Sequence, residues 1–189
     1  MILLLSSLSF AETYTIDASH SYVGFKVSHM TVSTVRGEFG EVAGTLEYDP
    51  ADLAATTVSA TVGVISIDTR DEKRDEHLRG AEFFDASQFP EATFASTKID
   101  NIAEDGSFDV VGDLTIHGVT KETTFRFSPV SDEITDPWGN RKRGGSALAT
   151  INRQDFGVSW NKSLDQGGLA VGDEVILEIE LELNAAKAE

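Results

Sequence analysis

The 189-residue chain contains no cysteine. That excludes a disulfide framework, a thiolate-bound zinc or iron–sulfur centre, and a cysteine nucleophile. It leaves the compartment open, because an oxidising space permits disulfides without requiring them. Positive charge is scarce: 15 Lys and Arg stand against 32 Asp and Glu, a formal net charge of −17. A field of that sign repels polyanions, so neither nucleic acid nor an anionic membrane surface is expected as a partner. The body of the chain has no apolar run long enough for a bilayer-spanning helix, and stable membrane insertion is not expected. With 40% hydrophobic residues the chain can still bury a core, and its length suits one domain.

The first eleven residues stand apart. Ile2-Leu3-Leu4-Leu5 and Leu8-Ser9-Phe10 form a short apolar run ending Ser9-Phe10-Ala11, a small-x-small cleavage pattern. This predicts a secretory signal over 1–11, a mature domain over 12–189, and a periplasmic or secreted protein. No Lys or Arg precedes the run, so the natural start is expected upstream. The same stretch also reads as an apolar first strand. A lipid anchor at the cleavage site would need a cysteine.

Strict alternation of apolar and polar residues dominates the rest of the chain. Val23, Phe25 and Val27 share one face, and Phe39, Val42, Gly44 and Leu46 continue the pattern. Val58, Ala60, Val62 and Val64 alternate with Ser59, Thr61 and Gly63. Phe108, Val110, Gly112, Leu114 and Ile116 do the same, as do Ala147, Ala149 and Ile151. The clearest case sets Val175, Leu177, Ile179, Leu181 and Leu183 against Glu178, Glu180 and Glu182. One wet face and one buried face is the signature of antiparallel sheet. Turn residues at Asp49-Pro50, Glu104-Asp105-Gly106, His117-Gly118, Asp136-Pro137-Trp138-Gly139 and Gly167-Gly168 punctuate these runs. The class is therefore all-β, a sandwich or barrel. One short helix is expected over Asp71–Arg79, capped by Asp68 or Thr69 and ending at Gly80.

A barrel of about eight strands is just filled by side chains, or holds one small ligand if they fall short. Gly44, Ala60, Gly112, Ala147 and Ala149 interrupt faces otherwise built of large apolar residues. Such interruptions fill the taper of a packed barrel or mark an open tube, and the pattern fits both. Any cavity would be apolar.

Chemistry-bearing motifs are few. His20, His29, His77 and His117 are not paired at ligand spacing, and there is no aspartate-rich calcium loop; no metal and no cofactor are expected. Ser19 beside His20 does not make a triad, and no Gly-x-Ser-x-Gly elbow occurs. His29 closes the Val23/Phe25/Val27 face and is either a hydrogen-bonded strand-end residue or a contact at a barrel mouth. Arg141-Lys142-Arg143, the one dense cation cluster, reads as a solvated loop or as a contact for an anionic headgroup.

Asp17-Ala18-Ser19-His20-Ser21-Tyr22-Val23-Gly24-Phe25-Lys26-Val27-Ser28-His29 and Ser33-Thr34-Val35-Arg36-Gly37-Glu38-Phe39 resemble the opening of the YceI-like family. So do Ser66-Ile67-Asp68-Thr69, Arg74-Asp75-Glu76-His77-Leu78-Arg79, Phe83-Phe84-Asp85 and Phe89-Pro90. Gly112-Asp113-Leu114-Thr115-Ile116-His117-Gly118-Val119-Thr120-Lys121 and Ile151-Asn152-Arg153-Gln154-Asp155-Phe156-Gly157 continue the match in order, from about Tyr14 to Leu183. The resemblance implies an extended, lipocalin-like antiparallel β-barrel of about eight strands with one short helix in a crossover. It further implies an apolar pore for a polyisoprenoid or similar long-chain lipid, a periplasmic or secreted setting often linked to stress, and no catalytic residues.

The expected function is thus a binding or carrier protein for polyprenyl phosphate, an isoprenoid quinone or a related amphiphile, with a homodimer left open. The expected pore lining is Val23, Phe25, Val27, Phe39, Leu46 and Val62, then Phe108, Val110 and Leu114. Ala147, Ala149, Ile151, Leu177, Ile179 and Leu181 complete it. His29, Arg36, Arg141, Lys142 and Arg143 are the expected mouth. Two alternatives stand beside this: a packed, ligand-free stress or interaction protein, and an enzyme on a lipophilic substrate, which would need a titratable dyad facing the pore.

Overall fold

The computed structural model describes residues 11–165 and 167–186. Most of the expected signal segment therefore lies outside the described residues. In chain order, β1 (Glu12–Ile16), β2 (Tyr22–His29), β3 (Ser33–Phe39), β4 (Val42–Tyr48) and β5 (Thr57–Gly63) come first. The two-residue β6 (Ile67–Asp68) leads into α1 (Glu72–Arg79). Next come β7 (Glu91–Asp100), β8 (Phe108–Ile116), β9 (Val119–Phe127) and β10 (Ile134–Thr135). The long strands β11 (Arg141–Asn152) and β12 (Val171–Ala185) complete the order.

Antiparallel pairing runs β11-β9-β8-β7-β5-β4-β1-β12, and β12 pairs back onto β11, closing a ring of eight strands. Closure leaves no open edge within that ring. β12 is long because it carries two partners in succession: β1 against Leu183–Ala185, then β2 against Val171–Glu180. β3 extends β4 in the same way, pairing with β2 where β4 pairs with β1. Alternation then sorts side chains by face. On β12, Glu178 pairs with Lys26 and Glu182 with Lys142 outside, while the apolar series from Val175 to Leu183 points in.

Tight turns use residues that accept a left-handed backbone. His117 and Gly118 sit at φ 51° and 72° between β8 and β9, as a two-residue hairpin requires. α1 lies where expected, but its cap is Asp71, whose side chain accepts from Arg74 N at 3.1 Å. Thr69 does something else: its N and Oγ1 donate to the buried Asp75 carboxylate at 2.9 and 2.5 Å. The Arg141-Lys142-Arg143 run is not a loop. It opens β11, paired with β12 and β10.

Two packed clusters lie within the barrel, the first at one end and the second running from that end to the cavity wall. Tyr14, Leu46, Tyr48 and Leu183 form the first. Phe94, Phe108, Val110, Leu114, Phe125, Phe127, Ala147, Ala149 and Phe156 form the second.

Candidate functional site

At the other end the barrel is hollow. A cavity of about 200 Å³ is lined on β12 from Val171 to Leu181. Val23, Phe25 and Val27 of β2, Phe39 of β3, and Val58, Ala60 and Val62 of β5 face it. Among its described lining residues only Thr93 and Arg153 carry polar side chains. Such a wall favours hydrocarbon over water, because a water needs two to four polar partners.

The hollow ends at different depths on different strands. Leu114 of β8 lines it and Val110 does not; Ile151 of β11 lines it and Ala149 does not. On β12 Leu181 lines it and Leu183 does not. Beyond the hollow Phe108 and Val110 have no exposed surface, and Ala147 and Leu183 are 1% exposed. Phe94, Leu114, Phe125, Phe127 and Phe156 belong to both the cavity wall and the packed cluster. Phe94 meets Phe125 edge-on at 4.9 Å, and Phe127 stacks on Phe108 at 5.5 Å.

The opposite end is roofed by α1 and the turns after it, through Leu78, Phe83 and Phe84. Phe84 meets Phe39 edge-on at 6.2 Å, and Phe83 lies 5.1 Å from Trp160. His77 packs edge-on against both Phe83 and Trp160, at 4.9 and 5.2 Å. Polar bonds pin the roof to the barrel: the buried Asp75 to Thr69, Arg74 to the Thr69 carbonyl at 2.6 Å, and Arg79 to the Ile67 carbonyl at 2.9 Å.

Arg153 is the cavity's one titratable lining residue among those described. It is 6% exposed, and burial pushes its pKa down from the usual guanidinium value while Asp173 opposes that. Its Nε donates to the Gly172 carbonyl at 2.8 Å, and Nη1 donates to the carbonyls of Val158 and Trp160 at 2.6 and 2.9 Å. Nη2 lies 3.3 Å from an Asp173 carboxylate oxygen. The guanidinium is thus spent on backbone carbonyls that tie the 158–160 segment to the start of β12. It has no partner with which to form a catalytic dyad among the described residues of the wall.

The structure separates the expected lining into two sets. Val23, Phe25, Val27, Phe39, Val62, Leu114, Ile151, Leu177, Ile179 and Leu181 face the cavity. Leu46, Phe108, Val110, Ala147 and Ala149 sit in the packed end. The small residues divide the same way. Ala60 faces the cavity, whereas a Cβ on Gly112 would come within 2.6 Å of the Phe94 ring, and one on Gly44 within 2.3 Å of the Ser59 carbonyl.

The expected mouth does not come together. His29 pairs with Val171 at one end of β12, and Lys142 pairs with Asn184 at the other. Those thirteen residue steps are roughly 43 Å of strand at about 3.3 Å each. Arg36 is exposed and points outward opposite Lys26. Arg141 bonds Glu12 and Glu133, and it holds the Glu133 carboxyl down at about 2. Arg143 lies over the rings of Tyr14 and Tyr48. Lys142 sits among Asp17, Glu182 and Asn184, with Nζ 2.6 Å from Glu182. Asp17, His20 and Glu182 are close enough to share an ion, but the Lys142 ammonium already supplies the positive charge to both carboxylates.

The expected lining omitted Phe94 of β7 and Phe125 and Phe127 of β9, and it omitted Leu78, Phe83, Phe84, Val158 and Arg153. Periodicity could not find the last five, since they lie outside the alternating strands. The one local signal was the Phe83-Phe84 pair directly after a strongly charged helix.

A closed eight-stranded antiparallel barrel, packed at one end and enclosing an apolar cavity at the other, defines a lipocalin-like barrel protein. The chain belongs to the YceI-like family, whose domain model matches residues 14–183. A UPF0312 protein of Enterobacter sp. (strain 638) is 34% identical over 181 residues, 95% of this chain and 91% of that one. The crystal structure of Burkholderia cenocepacia BcnA aligns with a TM-score of 0.76 at 26% identity, covering 88% of this chain and 98% of its own. A polyisoprenoid binding domain from Saccharophagus degradans shares the fold at a TM-score of 0.63 and 17% identity, over 94% and 99% of the two chains.

Proposed function

We propose that this protein is an exported, periplasmic carrier that binds a polyisoprenoid or related long-chain amphiphile in its barrel. The observation that carries the proposal is the cavity wall, whose only described polar side chains are Thr93 and an Arg153 already occupied by carbonyls. Burial there contributes about 0.8 kcal/mol per methylene, and the wall asks nothing of the ligand except an apolar tail. The polyisoprenoid binding ascribed to the Saccharophagus degradans domain supports the same class of ligand. Export rests on the Ser9-Phe10-Ala11 pattern. Among the described lining residues Arg153 alone is titratable, and its donors are taken by carbonyls, which favours a carrier over an enzyme.

Native mass spectrometry of gently purified protein tests this. A bound lipid of discrete mass, released on unfolding and replaceable by an added prenol, is expected. Protein that is lipid-free and takes up no prenol would overturn the reading.

A further inference from the structure

We infer that the Phe94, Phe125 and Phe127 rings are the floor on which the ligand's tail ends, and that this floor sets the longest chain the barrel takes. The inference rests on the lipid-binding reading and adds a length limit to it.

Cavity shape comes first. Its wall runs along β12 from Val171 to Leu181, ten residue steps or roughly 33 Å of strand, which at a barrel tilt of about 40° spans about 25 Å of the axis. A volume of about 200 Å³ drawn out over that distance is narrow. A compact cavity of about 150 Å³ already holds a benzene ring. The space therefore suits one hydrocarbon chain threaded lengthwise, and a lipid with two tails side by side would be too wide.

A single-file tube has an end, and here the end is built of aromatic rings. Phe94 and Phe125 close it edge to face, and Phe127 is held from below by Phe108. Phe94 lies over Gly112, where even a Cβ would come within 2.6 Å of the ring; the floor ring is seated there because position 112 has no side chain. Beneath it Phe108 and Val110 are fully buried. Close-packed interiors yield only at the cost of strain, so a tail that meets these rings stops against them. Carbons beyond that point must stay outside the cavity, where they gain nothing.

The test is a series of linear prenols: geraniol, farnesol, geranylgeraniol and solanesol. Each is titrated from cyclodextrin into the full chain, with binding read by calorimetry. For wild type, affinity should rise by up to about fourfold per buried carbon, then level off once the tail reaches the floor. Two variants should move that break in opposite directions. Phe94→Ala removes the ring above Gly112 and should carry the rise to longer prenols. Ala60→Leu fills the wall beside Phe94, its cross-strand partner, and should stop the rise at shorter ones. Should Phe94→Ala fail to fold, Ala60→Leu still decides the matter. Wild-type affinity that climbs without a break to solanesol overturns the floor and leaves lipid binding intact. So does a break that stays in place in a folded variant. Failure to bind any prenol overturns both.

Discussion

Arg143 reaches across the packed end of the barrel to Tyr14: its Nε donates to the Tyr14 hydroxyl at 2.9 Å, and its guanidinium lies 5.6 Å from the ring centroid. The Tyr48 ring lies 5.3 Å from the same guanidinium. Burial, with a hydrogen bond to Glu133, pushes the Tyr14 hydroxyl up to about 12, so it remains a neutral donor. The one dense cation cluster of the chain therefore locks the end of the barrel away from the cavity. Its consequences differ from those of a headgroup site.

Neutralising Arg141, Lys142 and Arg143 together should leave discrimination between a polyprenyl phosphate and a neutral quinone of the same tail unchanged. Any loss of affinity should be equal for the two, because the cluster stands at the end of β12 opposite the hollow. Parallel titrations of both ligands check this. A selective loss of the phosphate ligand would place its headgroup at the packed end.

Ala147 is 1% exposed in a packed cluster that includes Phe127, opposite it across the strand pair. Ala147→Phe should cost about 1–3 kcal/mol, the usual penalty of overfilling a core. Urea midpoints measure it. Ala60→Leu adds volume to the hollow instead, and a smaller loss is expected there. An equal loss at the two positions would show that they are equally packed.

Acid should destabilise the packed end specifically. Hydrogen bonding and charge from Arg141, with the Tyr14 hydroxyl, lower Glu133 from 4.5 to about 2 in the folded protein. A folded value below the unfolded one means the stabilisation is complete above about pH 4.5 and is lost as pH falls towards about 2. Asp17 shifts the same way through its bond from Ser19. Urea midpoints across that window should fall for wild type and fall less steeply for Glu133→Gln. Identical slopes would remove Glu133 from the cause.

The roof should loosen before the barrel does. Asp75→Ala strips the buried Thr69 N–H and hydroxyl of their acceptor, at a cost of about 1–3 kcal/mol for each buried group left unpaired. Hydrogen exchange should accelerate over 69–89 while the amides of β11 and β12 stay protected. Uniform acceleration would show that the roof and barrel open as one unit.

Much of this was legible from local pattern. Alternation at Val23 to Val27, Phe108 to Ile116 and Val175 to Leu183 identifies half-buried antiparallel strands, because successive strand residues must point to opposite faces. The charged segment before Gly80 marks the helix. Closure of these strands into one ring rested on family resemblance, and the β12–β11 pairing carries it.

Sequence by itself determined the strands, their inward faces and the apolar character of whatever they enclose. Only the tertiary structure decided where along those faces the space is empty. Ala149 and Ile151 share a face on one strand, yet one is packed and the other lines the cavity. That difference depends on whether a ring from another strand reaches over the position, which alternation does not encode. The cations divided for the same reason: Arg143 and His29 both occupy inward positions on their strands, and strand pairing alone put them at opposite ends of β12.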